Sequence, residues 1–366
     1  MKITFITTVA HNVGDDFVRE GLKYLLRQYF KGKHIVFSSV HKHSPITARH
    51  GFERLRYPRI FNRVDRMIPK GWTKDRIIDA DIVVQSGAPV YWCHEGSNAH
   101  CYDNEWYTPL IRERFSRSGG AKLLNLAAGT CQRYHSDGTE FCESCNAYIE
   151  EFHAASEVTT LRDTLAKTVL SRVGIDAQVI PCSSIFAIDE HGLKNEGEEY
   201  VVVNYMPGGA HYTFGQKIDF EKWEATFKAF YYELKQKEKV IFSCHNEKEV
   251  KAARKIDPSA EIFYQKDDYL AYMKFYAKAK FGIMNRVHGA FLMASYEKPS
   301  IVIGNDTRAR MAAEIGLKHY FVNDVDIDLL RNEYEFLKNG GDGFAERFRL
   351  IKEKAFADYM KAFSKL

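Results

Sequence analysis

The chain has 366 residues, 45% of them hydrophobic and 27% charged, with 52 basic against 48 acidic side chains and a net charge of +4. A chain this apolar buries enough surface to offset the entropy of ordering it, which excludes large-scale disorder, and its length suits two domains better than one or three. The small, evenly spread charge argues against a nucleic-acid partner, and no apolar run reaches the roughly 20 residues that span a bilayer. The opening MKITFITTVAHNVGDD has neither the apolar core nor the cleavage site of a signal peptide. Seven cysteines without such a signal are expected to be reduced thiols in the cytoplasm.

In chain order, Lys2–Val9 is the first predicted strand, and the turn His11–Asp16 (HNVGDD) leads into a helix. Val18, Leu22, Leu25, Leu26 and Tyr29 form one apolar stripe along it. Further strands are predicted at His34–Val40, Asp81–Ser86, Ala121–Ala127, Val158–Leu161 and Gln178–Ile180, with a helix over Asp163–Val173. The polar, turn-rich stretch Ala187–Tyr200 reads as a linker. Strands restart at Tyr200–Tyr205, Lys239–Ser243, Ala260–Tyr264, Lys280–Met284 and Ser300–Ile303. Helices are predicted between them at Phe220–Leu234, Glu247–Lys255, Asp268–Lys278, Gly289–Tyr296 and Thr307–Ile315, and a long helix closes the chain.

Strands that alternate with helices imply parallel sheets covered on both faces. The expected fold class is α/β, with two doubly wound domains. Residues 1–186 form the first, 187–199 the linker and 200–342 the second, and a helix over 343–366 packs back on the first. Ligands in such folds sit beyond the carboxyl ends of the strands, where strand order reverses, so the expected site is the cleft between the domains.

Chemistry-bearing residues cluster at predicted strand ends. Asn12, Gly14 and Asp15 follow the first strand, where helix amides favour an anion; a plain capped turn is the competing reading. After Ser86-Gly87-Ala88-Pro89, the aromatic Tyr91 and Trp92 suit either a sugar site or the core. Arg162 stands at a strand end beside Asp163, as an anion contact or an ion pair. The richest stretch presents Asn285, Arg286 and His288 at one strand end and Asn305, Asp306 and Arg308 at the next. Arginine offers a planar fork for phosphate or carboxylate, and histidine transfers protons near neutral pH.

These stretches resemble the polysaccharide pyruvyl transferase family. The resemblance rests on NVGDD, on ADIVVQSG, on VTTLRD followed by LSRVGIDAQVIPC, and above all on NRVHGAFLMASYEKPSIVIGNDTRARMAAEIGL, and it spans roughly residues 3 to 320. It implies two Rossmann-like domains of GT-B type, acceptor side first and phosphoenolpyruvate side second. It also implies transfer of a pyruvyl group from phosphoenolpyruvate to saccharide hydroxyls, forming a ketal, without a cofactor. By this resemblance Arg286 and His288 belong to the phosphoenolpyruvate site, with Arg162 a second anion contact. The chemistry asks for one acid and one base, for which His288 and Asp15 are the candidates. The acceptor is a saccharide, lipid-linked saccharides included, and peripheral association with a membrane is compatible with the chain. Two other readings stay open: a GT-B-like glycosyltransferase using a nucleotide sugar, and a non-catalytic sugar- or metal-binding protein.

One further pattern stands apart. Cys142-Glu-Ser-Cys145 is a C-x-x-C pair, with Cys131 upstream and Cys93-His94, His100-Cys101 and His135 elsewhere. Cys131, Cys142 and Cys145 are expected to come together in space; reduced structural thiols are the leading reading, and a structural zinc site, which takes such pairs, or a redox pair are the alternatives.

Overall fold

The computed structural model describes residues 1–8, 12–42, 67, 77–87, 89–93 and 106–366. The chain forms two compact units. The first comprises residues 1–130, 137–183 and 358–366; the second comprises 131–136 and 184–357.

Apolar runs build the first sheet: β1 (Lys2–Thr7), β2 (Val36–His41), β3 (Ile82–Ser86), β4 (Pro89–Tyr91), β5 (Lys122–Thr130), β6 (Val158–Leu161) and β7 (Gln178–Val179). All pair in parallel in the order β2-β1-β3-β5-β6-β7, with β4 beside the end of β5. The order reverses between β1 and β3. Ile3, Phe5, Val83, Val84, Leu123 and Leu124 are buried, as expected of strands covered on both faces. Helix Val13–Tyr29 buries the stripe Val18, Leu22, Leu25 and Leu26, and Asn12 caps it. The final helix, Phe344–Phe363, ends in this unit, where the Tyr359 hydroxyl donates to the Pro181 carbonyl at 3.1 Å.

The second sheet holds β8 (Tyr200–Asn204), β9 (Val240–Ser243), β10 (Ile262–Phe263), β11 (Ala279–Met284), β12 (Ser300–Gly304) and β13 (Lys318–Phe321). They are parallel in the order β10-β9-β8-β11-β12-β13, which reverses between β8 and β11. Trp223, Phe227, Tyr231 and Phe242 lie in its core.

Several elements differ from expectation. β4 is only three residues long, and β13 is a half-buried edge strand whose polar residues hide its period. The helix predicted from Gly289 starts at Val287, with Arg286 as its N-cap, so His288 lies in the first turn. Thr307–Ile315 splits into a four-residue α-turn and a 3-10 segment. Helix Ile327–Lys338, capped by Asp326, was not apparent from the sequence. The chain passes from the first unit to the second at Ser183–Ser184, and Ala187–Glu190 within the polar segment forms a helical turn. Val9, the end of the first predicted strand, and His11 and Ala88, parts of predicted turns, lie outside the described residues. Among the described residues, no helix is long and apolar enough to cross a membrane.

Candidate functional site

At the reversal of the second sheet, four strand ends converge, and one carboxylate joins three of them. Glu249 lies in the first turn of helix Glu247–Ile256, whose N-cap Asn246 accepts from the Glu249 amide at 3.0 Å. Its Oε2 accepts from the His245 amide at 2.9 Å, after β9, and from Asn204 Nδ2 at 3.1 Å, at the end of β8. Its Oε1 accepts from Asn246 Nδ2 at 2.7 Å and from Arg286, after β11, through Nε at 3.0 Å and through Nη2. Burial pushes this carboxyl up, but the Arg286 charge and these donors outweigh it and hold Glu249 at about 2.

Arg286 thus grips Glu249 by its Nε–Nη2 edge. Arg308 repeats the arrangement: Nε and Nη2 donate to the two oxygens of Asp306 at 3.0 and 2.5 Å. In each arginine the edge fixed by a buried carboxylate leaves Nη1 for a second acceptor. Asp306 also caps its short helix by accepting from the Arg308 amide at 3.0 Å. Across from it, residues 131–136 join the second unit: the backbones of Arg133 and Asp306 form an isolated antiparallel β-bridge, and the Thr307 amide donates to the Gln132 carbonyl at 3.0 Å.

The two asparagines expected to contact substrate also brace the loops. Asn285 accepts from the Met206 amide and donates to the Ile303 carbonyl, both at 2.7 Å. Asn305 donates to the Gly208 carbonyl at 2.7 Å. Close approach here requires Gly209, at φ +81, where a Cβ would meet Val322 Cβ at 3.2 Å and Gly304 Cα at 3.3 Å.

Two imidazoles unanticipated from the sequence share this field. His245 is 9% exposed, and neither of its ring nitrogens has a hydrogen-bond partner. Burial and then the Arg286 charge lower it to about 3. Partial desolvation and then Arg286 and Arg308 lower His211 to about 4. Both rings are therefore neutral at pH 7. His288 is half-buried in the first turn of the nine-residue helix Val287–Ser295, whose leading amides point toward the strand ends.

In the first unit, Asp15 and Arg162 lie at the carboxyl ends of β1 and β6. Asp15 is 7% exposed and accepts from the Thr8 hydroxyl. Asn12 caps the helix by accepting from the Gly14 amide at 3.2 Å. Burial, against the pull of its ion partner Arg19 and with a push from Asp15, raises Asp16 to about 7. Arg162 is buried and donates Nη1 to the Gly87 carbonyl at 2.7 Å. It packs over Gly129, where a Cβ would fall 2.4 Å from Arg162 Nε and 2.6 Å from Asp163 Oδ2. Asp163 itself caps its helix and receives Thr130. Lys42, just past β2, is a buried cation that the sequence reading passed over. Burial lowers it to about 8, against the pull of Asp15 and with a push from Arg162. Tyr91 is 1% exposed, its hydroxyl accepting from Asn125 Nδ2 at 2.8 Å, so it is a core residue with no ring face for a sugar. Trp92 is half-buried beside it in sequence.

The sulfur cluster differs from expectation in one member. Cys93, Cys142 and Cys145 come together in the first unit, whereas Cys131 belongs to the second. His94, His100 and Cys101 lie outside the described residues.

The profile of the family described as polysaccharide pyruvyl transferase matches residues 12–307. No curated protein sequence matches the chain. Among solved structures, a putative UDP-N-acetylglucosamine 2-epimerase from Listeria monocytogenes is similar at TM-score 0.56 and 13% identity, over 95% of this chain and 90% of that one. The UDP-GlcNAc 2-epimerase of Methanocaldococcus jannaschii, in complex with UDP-GlcNAc and UDP, is similar at 0.54 and 12%, over 97% and 100%. The Neisseria meningitidis enzyme bound to UDP-GlcNAc gives 0.54 and 12%, over 95% and 94%. At these identities the likeness is one of fold, and that fold is GT-B-like.

Proposed function

The chain belongs to the polysaccharide pyruvyl transferase family, and we propose that it transfers a pyruvyl group from phosphoenolpyruvate to two hydroxyls of a saccharide. The observation that carries this reading is the pair of arginines at the second sheet. Arg286 and Arg308 are each locked by one edge onto a buried carboxylate, and Arg286 is the N-cap of the helix that carries His288 in its first turn. Phosphoenolpyruvate has two anionic groups, a carboxylate and a phosphate, and such preset forks and amides suit both.

The reaction balances as follows. His288 gives a proton to C3, which makes C2 electrophilic, and the first saccharide hydroxyl adds there. The bond from C2 to the phosphate oxygen then breaks, inorganic phosphate leaves, and the second hydroxyl closes the ketal. Two hydroxyl protons are released: one makes good the proton given to C3 and the other goes to phosphate or solvent. Asp15 is the group assigned to receive a hydroxyl proton, its carboxylate steadied by Thr8. Lys42 and Arg162 keep its surroundings cationic.

The test is phosphate release from phosphoenolpyruvate in the presence of candidate saccharides. Release that depends on the saccharide supports the reading. Cleavage of a nucleotide sugar, with phosphoenolpyruvate untouched, supports the glycosyltransferase alternative instead.

A further inference from the structure

We propose that Cys93, Cys142 and Cys145 bind one zinc ion on the first unit, as three thiolates. The three sulfurs all lie within 4.8 Å of one another, and those of Cys142 and Cys145 are 3.6 Å apart. A disulfide needs about 2.05 Å, so this is not a bonded pair. A tetrahedral ion with zinc–sulfur bonds of about 2.3 Å sets its sulfurs about 3.8 Å apart, close to the separation seen.

The local fold favours the thiolate form. Cys142 is the N-cap of the twelve-residue helix Glu143–Ala154, and Cys145 sits in its first turn. Both thiols therefore face the positive end of a helix, which stabilises sulfur anions. Cys93 follows β4 by two residues, and Cys145 Sγ lies 3.7 Å from the carbonyl oxygen of the preceding residue, Trp92. Cys93 and Cys145 are buried, and Cys142 is exposed. Two buried thiolates side by side are costly unless a cation neutralises them, and the exposed third ligand gives the ion a way in. Binding releases one proton from each thiol and changes no oxidation state.

The ion would clip the residues just past β4, Trp92 and Cys93, to the helix that follows β5. Cys93 and the helix N-terminus lie at the carboxyl end of the first sheet, the same end as Asp15 and Arg162. The proposal is independent of the transferase reading, since it concerns metal content and not turnover.

The full chain, purified under reducing conditions without chelator, is analysed for bound metal. The expected result is about one zinc per chain. Cys93→Ser, Cys142→Ser and Cys145→Ser should each weaken zinc binding by roughly a hundredfold or more in competition with a chromophoric chelator. Cys131→Ser should leave it unchanged. Because a variant can fail to fold, metal-free wild-type protein is also titrated with cobalt. A saturable thiolate-to-cobalt absorption band at one equivalent supports the site. No band, or a native Cys142–Cys145 disulfide found by mass spectrometry, would overturn it.

Discussion

Glu249→Gln is the substitution that most sharply tests how the second unit holds Arg286. The glutamine keeps the shape of the side chain but removes the charge opposite Arg286 and turns one acceptor into a donor facing Asn246 or His245. Glu249 is 4% exposed, so solvent screens the pair little. Lowering its carboxyl from 4.5 to about 2 is worth about 3 kcal/mol in the native state. The sign follows from the direction. The folded value lies below the unfolded one, so this stability is present in full above about pH 4.5 and is lost as pH falls toward 2. Breaking a buried pair from one side costs about 3–5 kcal/mol, which sets the loss expected at pH 7. Urea unfolding of wild type and variant, read by hydrogen exchange in β8 and β11, gives the gap between them at each pH. That gap should shrink by about 2 kcal/mol between pH 7 and pH 3. A gap that stays constant over this range would refute the linkage, and with it the claim that Glu249 is ionised by Arg286. In the transferase reading Glu249 is a positioning residue, so the variant should also raise KM for phosphoenolpyruvate more than it lowers kcat.

Other substitutions probe single groups. Arg286→Ala should weaken phosphoenolpyruvate binding by about 1.5–3 kcal/mol in calorimetry, and Arg286→Lys should restore it only in part, because an ammonium lacks the fork that meets Glu249 and an anion together. His288→Ala should lower turnover by about 10²–10⁴-fold with little change in thermal stability; unchanged turnover would end its role as the acid. Gly129→Ala places a methyl 2.4 Å from Arg162 Nε, so it should cost about 1–3 kcal/mol in thermal unfolding and displace Arg162. An unaltered melting temperature would show that Arg162 is not held against Gly129.

Much of the fold was legible because its strands are buried on both faces. Runs such as YVVVN and IVVQS therefore read as strands without any need for alternation. Arg286 and His288 stood out for a related reason: a short polar cluster between an apolar strand and an apolar helix has few other uses. The residues that escaped notice share a different trait. Glu249 belongs to Asn246-x-x-Glu249, a capping-box pattern, and in sequence it looks like any acidic first-turn residue. The pattern was the signal available, but only the fold reveals that the same carboxylate meets Arg286. Lys42 after a strand reads as a solvated cation until the burial around it is known. The third cysteine was misassigned because residues 131–136 leave the first unit, and no local signal marks that excursion. Asn285 and Asn305 were correctly placed at strand ends, yet their amides serve the backbone of neighbouring loops.

The most direct measurement of the central claim follows the carbon atoms of the donor. Phosphoenolpyruvate labelled with carbon-13 at C2 is incubated with the protein and a saccharide acceptor, and the products are read by NMR alongside inorganic phosphate. The account predicts a new ketal carbon signal that couples to saccharide protons, growing in step with one phosphate per pyruvyl group, and lost with His288→Ala. Phosphate release with the label recovered as free pyruvate, or no loss of phosphoenolpyruvate across acceptors while a nucleotide sugar is consumed, would contradict it.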